Sequence, residues 1–178
     1  MPKKRTKASV ITIFNPKGRS DNRNIFFRSL SLDQSVVIGP TDGRANLAQA
    51  EDIFSYIDPD FTRWGLDVQG ELRLETQVEV LELVKDGRFD QFFPSLNPNL
   101  DQLCLTQDQI KKFCIDHKGW LRTDSHATFF LFKVNNEFFV ADVHMNDNSQ
   151  LRVYVGRFLD GYFWSAKNLL RVVVPQTT

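Results

Sequence analysis

The sequence predicts an α+β fold, a C-terminal antiparallel β-meander of four to five strands packed against helices. Three observations carry that expectation. Phenylalanine is over-used, with 16 residues among 178, and its ring combines a large apolar area with a preference for strands. The last third alternates apolar and polar residues in runs separated by Asn135-Asn136, Asp147-Asn148 and Asp160-Gly161, pairs suited to the positive φ angles of tight hairpin turns. Ahead of these runs, Thr106-Gln-Asp-Gln109 has the form of a capping box leading into an apolar stripe.

In chain order, residues 1–8 read as a disordered basic tail and 9–14, "SVITIF", as a short strand stopped by Asn15-Pro16. "IFFRSLSL" and "SVVIG" read as two more short strands, followed by a turn cluster built on Gly39, Pro40 and Gly43. The spacing of Leu47, Ala50, Ile53, Phe54 and Ile57 predicts a helix over about 45–57. Thr76-Gln-Val-Glu79 has a second capping-box form, which predicts a helix through about Lys85. "FDQFF" (89–93) is expected to be one helical turn that anchors three rings, and 94–102 to be a linker. The clearest helix covers about 107–118, with Ile110, Phe113 and Cys114 inside, Leu105 placed to staple on Ile110, and Gly119 as its stop. Strands are expected at about 127–134, 137–146, 149–159 and 162–167, with "RVVVP" (171–175) as a fifth. Residues 9–178 are thus expected to be a single α+β domain, divisible into an N-terminal subdomain (9–93), the linker, and a helix-plus-meander unit (103–176).

Charge is balanced overall but unevenly spread. Residues 1–28 carry Lys3, Lys4, Arg5, Lys7, Lys17, Arg19, Arg23 and Arg28 against Asp21 alone. Such an arm can bind an anionic partner, or fold back on its own acidic domain. No apolar run approaches the ~20 residues needed to span a bilayer, and the N-terminus lacks the apolar core of a secretory signal. The two cysteines, Cys104 and Cys114, have no zinc-ligand spacing. A cytoplasmic protein with reduced thiols and no membrane association is expected.

The pieces "IDPDF", "VKDGRFDQFF", "LCLTQDQIKKF", "WLRTDSHATFFLFK", "FFVADV" and "VVVPQ", spread over residues 57–176, resemble conserved hypothetical proteins of bacterial genomes. That resemblance implies no activity, cofactor or site residue.

Candidate chemistry gathers on two histidines. Asp124-Ser-His126 and Asp142-Val-His144 repeat one pattern, and on a strand residues i and i+2 share a face ~6–7 Å apart. Converging, the two pairs would make an acid–base site of Asp124, His126, Asp142 and His144, or a metal site of His126, Asp142 and His144. Hairpin register decides. With a two-residue Asn135-Asn136 loop, Ala127 lies opposite His144 and Phe129 opposite Asp142, and the pairs diverge; with three residues they meet. The two-residue loop is the commoner solution, so divergence is expected. In that register Phe130, Phe132, Phe139, Ala141, Val143, Tyr154 and Phe158 share the face that the 107–118 helix covers. Phe129, Leu131, Lys133, Phe138, Val140, Asp142, His144, Val153 and Val155 take the other, which also needs a cover.

Other motifs carry less. "IGPTDGR" lacks the residues of a phosphate or dinucleotide loop and reads as a turn, so no cofactor is expected. Arg63 and Trp64 could stack on a ligand or anchor a loop. The leading expectation is a non-catalytic interaction module, its partner another protein or a second copy through an apolar sheet face. The alternatives are a small metal-dependent or acid–base hydrolase using the Asp/His pairs, and nucleic-acid binding through the basic arm that begins with Lys3, Lys4, Arg5 and Lys7.

Overall fold

A computed structural model describes residues 24–176. The basic tail, the 9–14 strand, and Lys3, Lys4, Arg5 and Lys7 lie outside the described residues. Eight strands form one sheet: β1 (Phe27–Ser29), β2 (Val36–Ile38), β3 (Phe54–Ile57), β4 (Thr76–Leu83), β5 (Ala127–Val134), β6 (Glu137–Met145), β7 (Leu151–Arg157) and β8 (Arg171–Pro175). Among the described residues three α-helices accompany it: α1 (Asp60–Arg63), α2 (Phe89–Leu96) and α3 (Gln107–Asp116). The order is β1-β4-β8-β5-β6-β7-β3, with β2 also on β4. The fold is α+β, but the sheet is mixed rather than a purely antiparallel meander, because β5–β8 and β3–β7 are parallel pairs.

Strand β8 runs between β4 and β5 instead of extending the meander as an outer fifth strand. Its Val172, Val173 and Val174 are buried, the unbroken apolar run that a strand covered on both faces requires. Residues 162–167 do not form a strand. They hold an isolated bridge from Trp164 to Gly87 and part of a 3-10 turn, Ala166–Asn168.

Two expected helices are strands. In "TQVEVLEL" the period-two alternation overrides the capping-box form: Val78 and Val80 enter one core cluster, Leu81 and Leu83 the other. Thr76 serves the sheet's end, its hydroxyl donating to the Leu74 carbonyl and accepting from Gln109 Nε2. The buried Glu82 carboxylate is met by Arg28. Over 45–57 the chain makes a 3-10 turn (Leu47–Gln49), capped by the Asn46 side chain, whose Oδ1 accepts from the Gln49 amide, and then β3. The β-branched and aromatic residues of "FSYI" fit that strand.

The two sheet faces hold separate cores. Ile110, Phe113 and Cys114 of α3 cover Phe130, Phe132, Phe139, Ala141 and Val143. The α3 capping box is formed in both directions: the Gln109 amide donates to Thr106 Oγ1 at 3.2 Å, and the Thr106 amide to Gln109 Oε1 at 3.0 Å. On the opposite face Phe89, Phe92 and Phe93 of α2 cover Phe129, Leu131, Val140 and Val172. Helix α2 runs through Leu96, and a 3-10 turn occupies Leu100–Leu103, so both reach into 94–102 from its ends. Among the described residues, no helix is long and apolar enough to cross a membrane.

Candidate functional site

The β5–β6 hairpin turns on Asn135 and Asn136, whose φ angles are 49° and 64°. Ala127 faces His144 and Phe129 faces Asp142, the two-residue register. The β6–β7 connection is different. Met145 pairs with Leu151, so five residues intervene where Asp147-Asn148 alone was expected to turn. That one-residue slip exchanges the faces of β7. Tyr154 lies opposite Asp142, and Arg152 opposite His144, while Val153 and Val155 join the α3 side and Phe158 the α2 side.

Asp124 and His126 are not on a strand. Asp124 and Ser125 both adopt the left-handed region, φ 59° and 58°, in a turn that precedes β5. Asp124 reaches back to Arg122 at 3.4 Å, and the His126 amide donates to the Thr123 carbonyl. The turn meets β6 through its backbone. The Ser125 amide donates to the Met145 carbonyl at 3.1 Å, and His144 Nδ1 donates to the Ser125 carbonyl at 2.7 Å.

His144 is therefore bracketed. Its Nε2 lies 2.8 Å from Asp142 Oδ1, and its Nδ1 faces an oxygen that can only accept. With Asp142 ionised, both ring nitrogens carry protons and the imidazolium has no lone pair to offer a metal or a substrate proton. Burial pushes the Asp142 carboxyl upward, against the opposing pull of His144. Burial alone would pull His144 down, but the hydrogen bond and charge of Asp142, with the Ser125 carbonyl, outweigh it and raise the imidazole. Both directions favour the proton-bearing form of the pair. The two side chains line a cleft of about 470 Å³ with Ser125, Asn146, Arg152 and Tyr154. Tyr154 meets the His144 ring edge-on at 5.2 Å and the Tyr56 ring at 5.1 Å. Among the described residues no three His, Cys, Asp or Glu side chains are grouped to hold a metal. Both thiols are pushed up, Cys104 to about 12, chiefly by burial, so neither is a thiolate nucleophile near neutral pH.

Arg63 and Trp64 do not act on one point. Arg63 pairs with Asp60 at 3.1 Å. The Trp64 ring packs at 6.3 Å on Phe139 and carries the Arg157 guanidinium 4.7 Å from its centre.

A second surface escaped the sequence reading because its residues were assigned to a strand. Between β7 and β8 the chain is pinned at two rings: Phe158 on Phe93 and Phe138, and Trp164 on Phe89 and Phe129. Between those pins Leu159, Tyr162 and Phe163 stand 78%, 62% and 59% exposed. The legible signal was a cluster of large apolar residues around Asp160-Gly161 with no alternation to bury them. No protein-family model, curated protein or solved structure matches this chain.

Proposed function

We propose that this protein is a non-catalytic binding module whose docking surface is the loop between β7 and β8. The observation that carries the reading is the exposure of Leu159, Tyr162 and Phe163 on a loop held between the buried Phe158 and the partly buried Trp164. Large apolar side chains left in water forfeit about 1.5–3 kcal/mol each, and such clusters mark contact surfaces. Anchored aromatic tips lose little further freedom on binding, which is how contact hot spots are built. The engagement of both His144 nitrogens supports the same reading.

The test is affinity capture with the wild type and with a Leu159→Ser/Tyr162→Ser/Phe163→Ser variant, read by quantitative mass spectrometry. A partner retained by the wild type and lost by the variant supports the loop. Identical capture by two folded proteins refutes it. A second reading, an acid–base hydrolase, draws on the Asp142–His144 contact at 2.8 Å inside the cleft. It requires ester or phosphoester turnover that His144→Gln abolishes.

A further inference from the structure

Among the described residues, the stretch leading into β4, Glu71-Leu72-Arg73-Leu74-Glu75, is bonded through its backbone to a neighbouring segment on one side only. Arg73 exchanges two backbone hydrogen bonds with Thr41, at 2.9 and 3.0 Å. Neighbouring residues of an extended chain turn their N–H and C=O groups to opposite sides, so those of Leu72 and Leu74 face away from Thr41. Among the described residues, Leu72 makes no backbone hydrogen bond, and Leu74 uses only its carbonyl, which accepts from the Thr76 hydroxyl. Their side chains are 67% and 76% exposed. A cleft of about 800 Å³ opens here, lined by Gly70, Glu71, Arg73 and Thr76 together with Lys133 and Asn135 of the β5–β6 hairpin. An open strand edge with apolar side chains is a template for another strand, and edges that are not used are normally blunted.

The sequence of the edge says what it fits. Acid, leucine, arginine, leucine, acid alternate, so that charges take one face and leucines the other. The contact of Arg73 with Glu71 at 3.5 Å is the same-face geometry of residues two apart. Two copies laid antiparallel about Leu72 put Leu72 against Leu72 of the partner subunit, and Arg73 against Glu71 of the partner subunit. This register also sets the outward-facing backbone groups of Leu72 opposite those of Leu72 of the partner subunit. Centring on Arg73 would instead set arginine against arginine, which is unfavourable. We propose that residues 71–73, centred on Leu72, form a self-complementary edge through which two copies of this chain join as an antiparallel β-ladder. The inference does not depend on the role of the β7–β8 loop.

Light scattering during size exclusion tests it with three proteins. The wild type should shift from 20.6 kDa toward double that mass as concentration rises. Arg73→Glu places only acids on the charged face, and Glu71→Arg/Glu75→Arg places only arginines. Each variant alone should stay at the monomer mass where the wild type is dimeric, and an equimolar mixture should recover the doubled mass. Glu71 and Arg73 have side chains 82% and 52% exposed, so circular dichroism should show unchanged folds. A wild type that stays monomeric throughout overturns the proposal. So do variants that dimerise as the wild type does, or a mixture that remains monomeric.

Discussion

Replacing Phe92 by alanine tests whether α2, rather than a companion molecule, covers the second face of the sheet. Phe92 is fully buried and its ring meets four others. It packs edge-on against Phe27 at 5.5 Å and Phe89 at 5.6 Å, and tilted against Phe93 at 5.4 Å and Phe26 at 6.4 Å. Losing the transfer energy of the ring costs about 2–3 kcal/mol. Losing two edge-on pairs adds about 1–2 kcal/mol. The total, about 3–5 kcal/mol, agrees with aromatic truncations in well-packed cores. It removes a large part of a typical stability of about 5–15 kcal/mol. Urea titration followed by tryptophan emission reads it, since Trp164 lies 5.5 Å from Phe89. The control is Phe163→Ala on the exposed loop, expected within about 0.5 kcal/mol of wild type. A Phe92→Ala loss below about 1.5 kcal/mol, with an unchanged urea slope, would refute the packing argument.

Three further outcomes are expected. The raised imidazole of His144 contributes stability that is complete below its ordinary value of about 6.5 and is lost as pH climbs through its folded value. The raised carboxyl of Asp142 has the same sign. Urea midpoints of the wild type should therefore fall from neutral to alkaline pH more than those of His144→Gln; parallel pH profiles would contradict the bracketed proton. Thr106→Ala removes the oxygen that accepts from the Gln109 amide and should cost about 1 kcal/mol by thermal or urea unfolding. Gly43 has φ +76° and an added Cβ would fall 2.6 Å from the Glu71 carbonyl carbon, whereas Gly65 has φ +68° and open space. Gly65→Ala should cost about 1 kcal/mol for its left-handed backbone. Gly43→Ala should cost clearly more, and equal losses would show that the close approach is not rigid.

What could be read in advance was short-range. The Asn135-Asn136 turn sets the β5–β6 register within its own hairpin, and the α3 cap depends on residues three apart. Asp142 and His144 were placed on one face by strand parity alone. What failed depended on partners far along the chain. Thr76 to Glu79 imitates a capping box, yet β4 lies between β1, β2 and β8, and burial on both sides decides its form. The β7 faces were exchanged because five residues, not two, join it to β6. The second polar partner of the His144 ring is the Ser125 carbonyl, a backbone atom with no side-chain signature. The spacing of Asp124 and His126 suggested a strand, where paired left-handed residues make a turn instead.

Strand β8 is a keystone in time as well as in space. Strands β4 and β5 have no ladder with each other; each bonds to β8, which is synthesised after every other described strand. A nascent chain that has not yet released residues 171–175 from the ribosome holds two half-sheets with bare inner edges. Joining them closes loops from distant parts of the polypeptide, the slow kind of folding step. Until then the exposed edges are where a chaperone would find its hold.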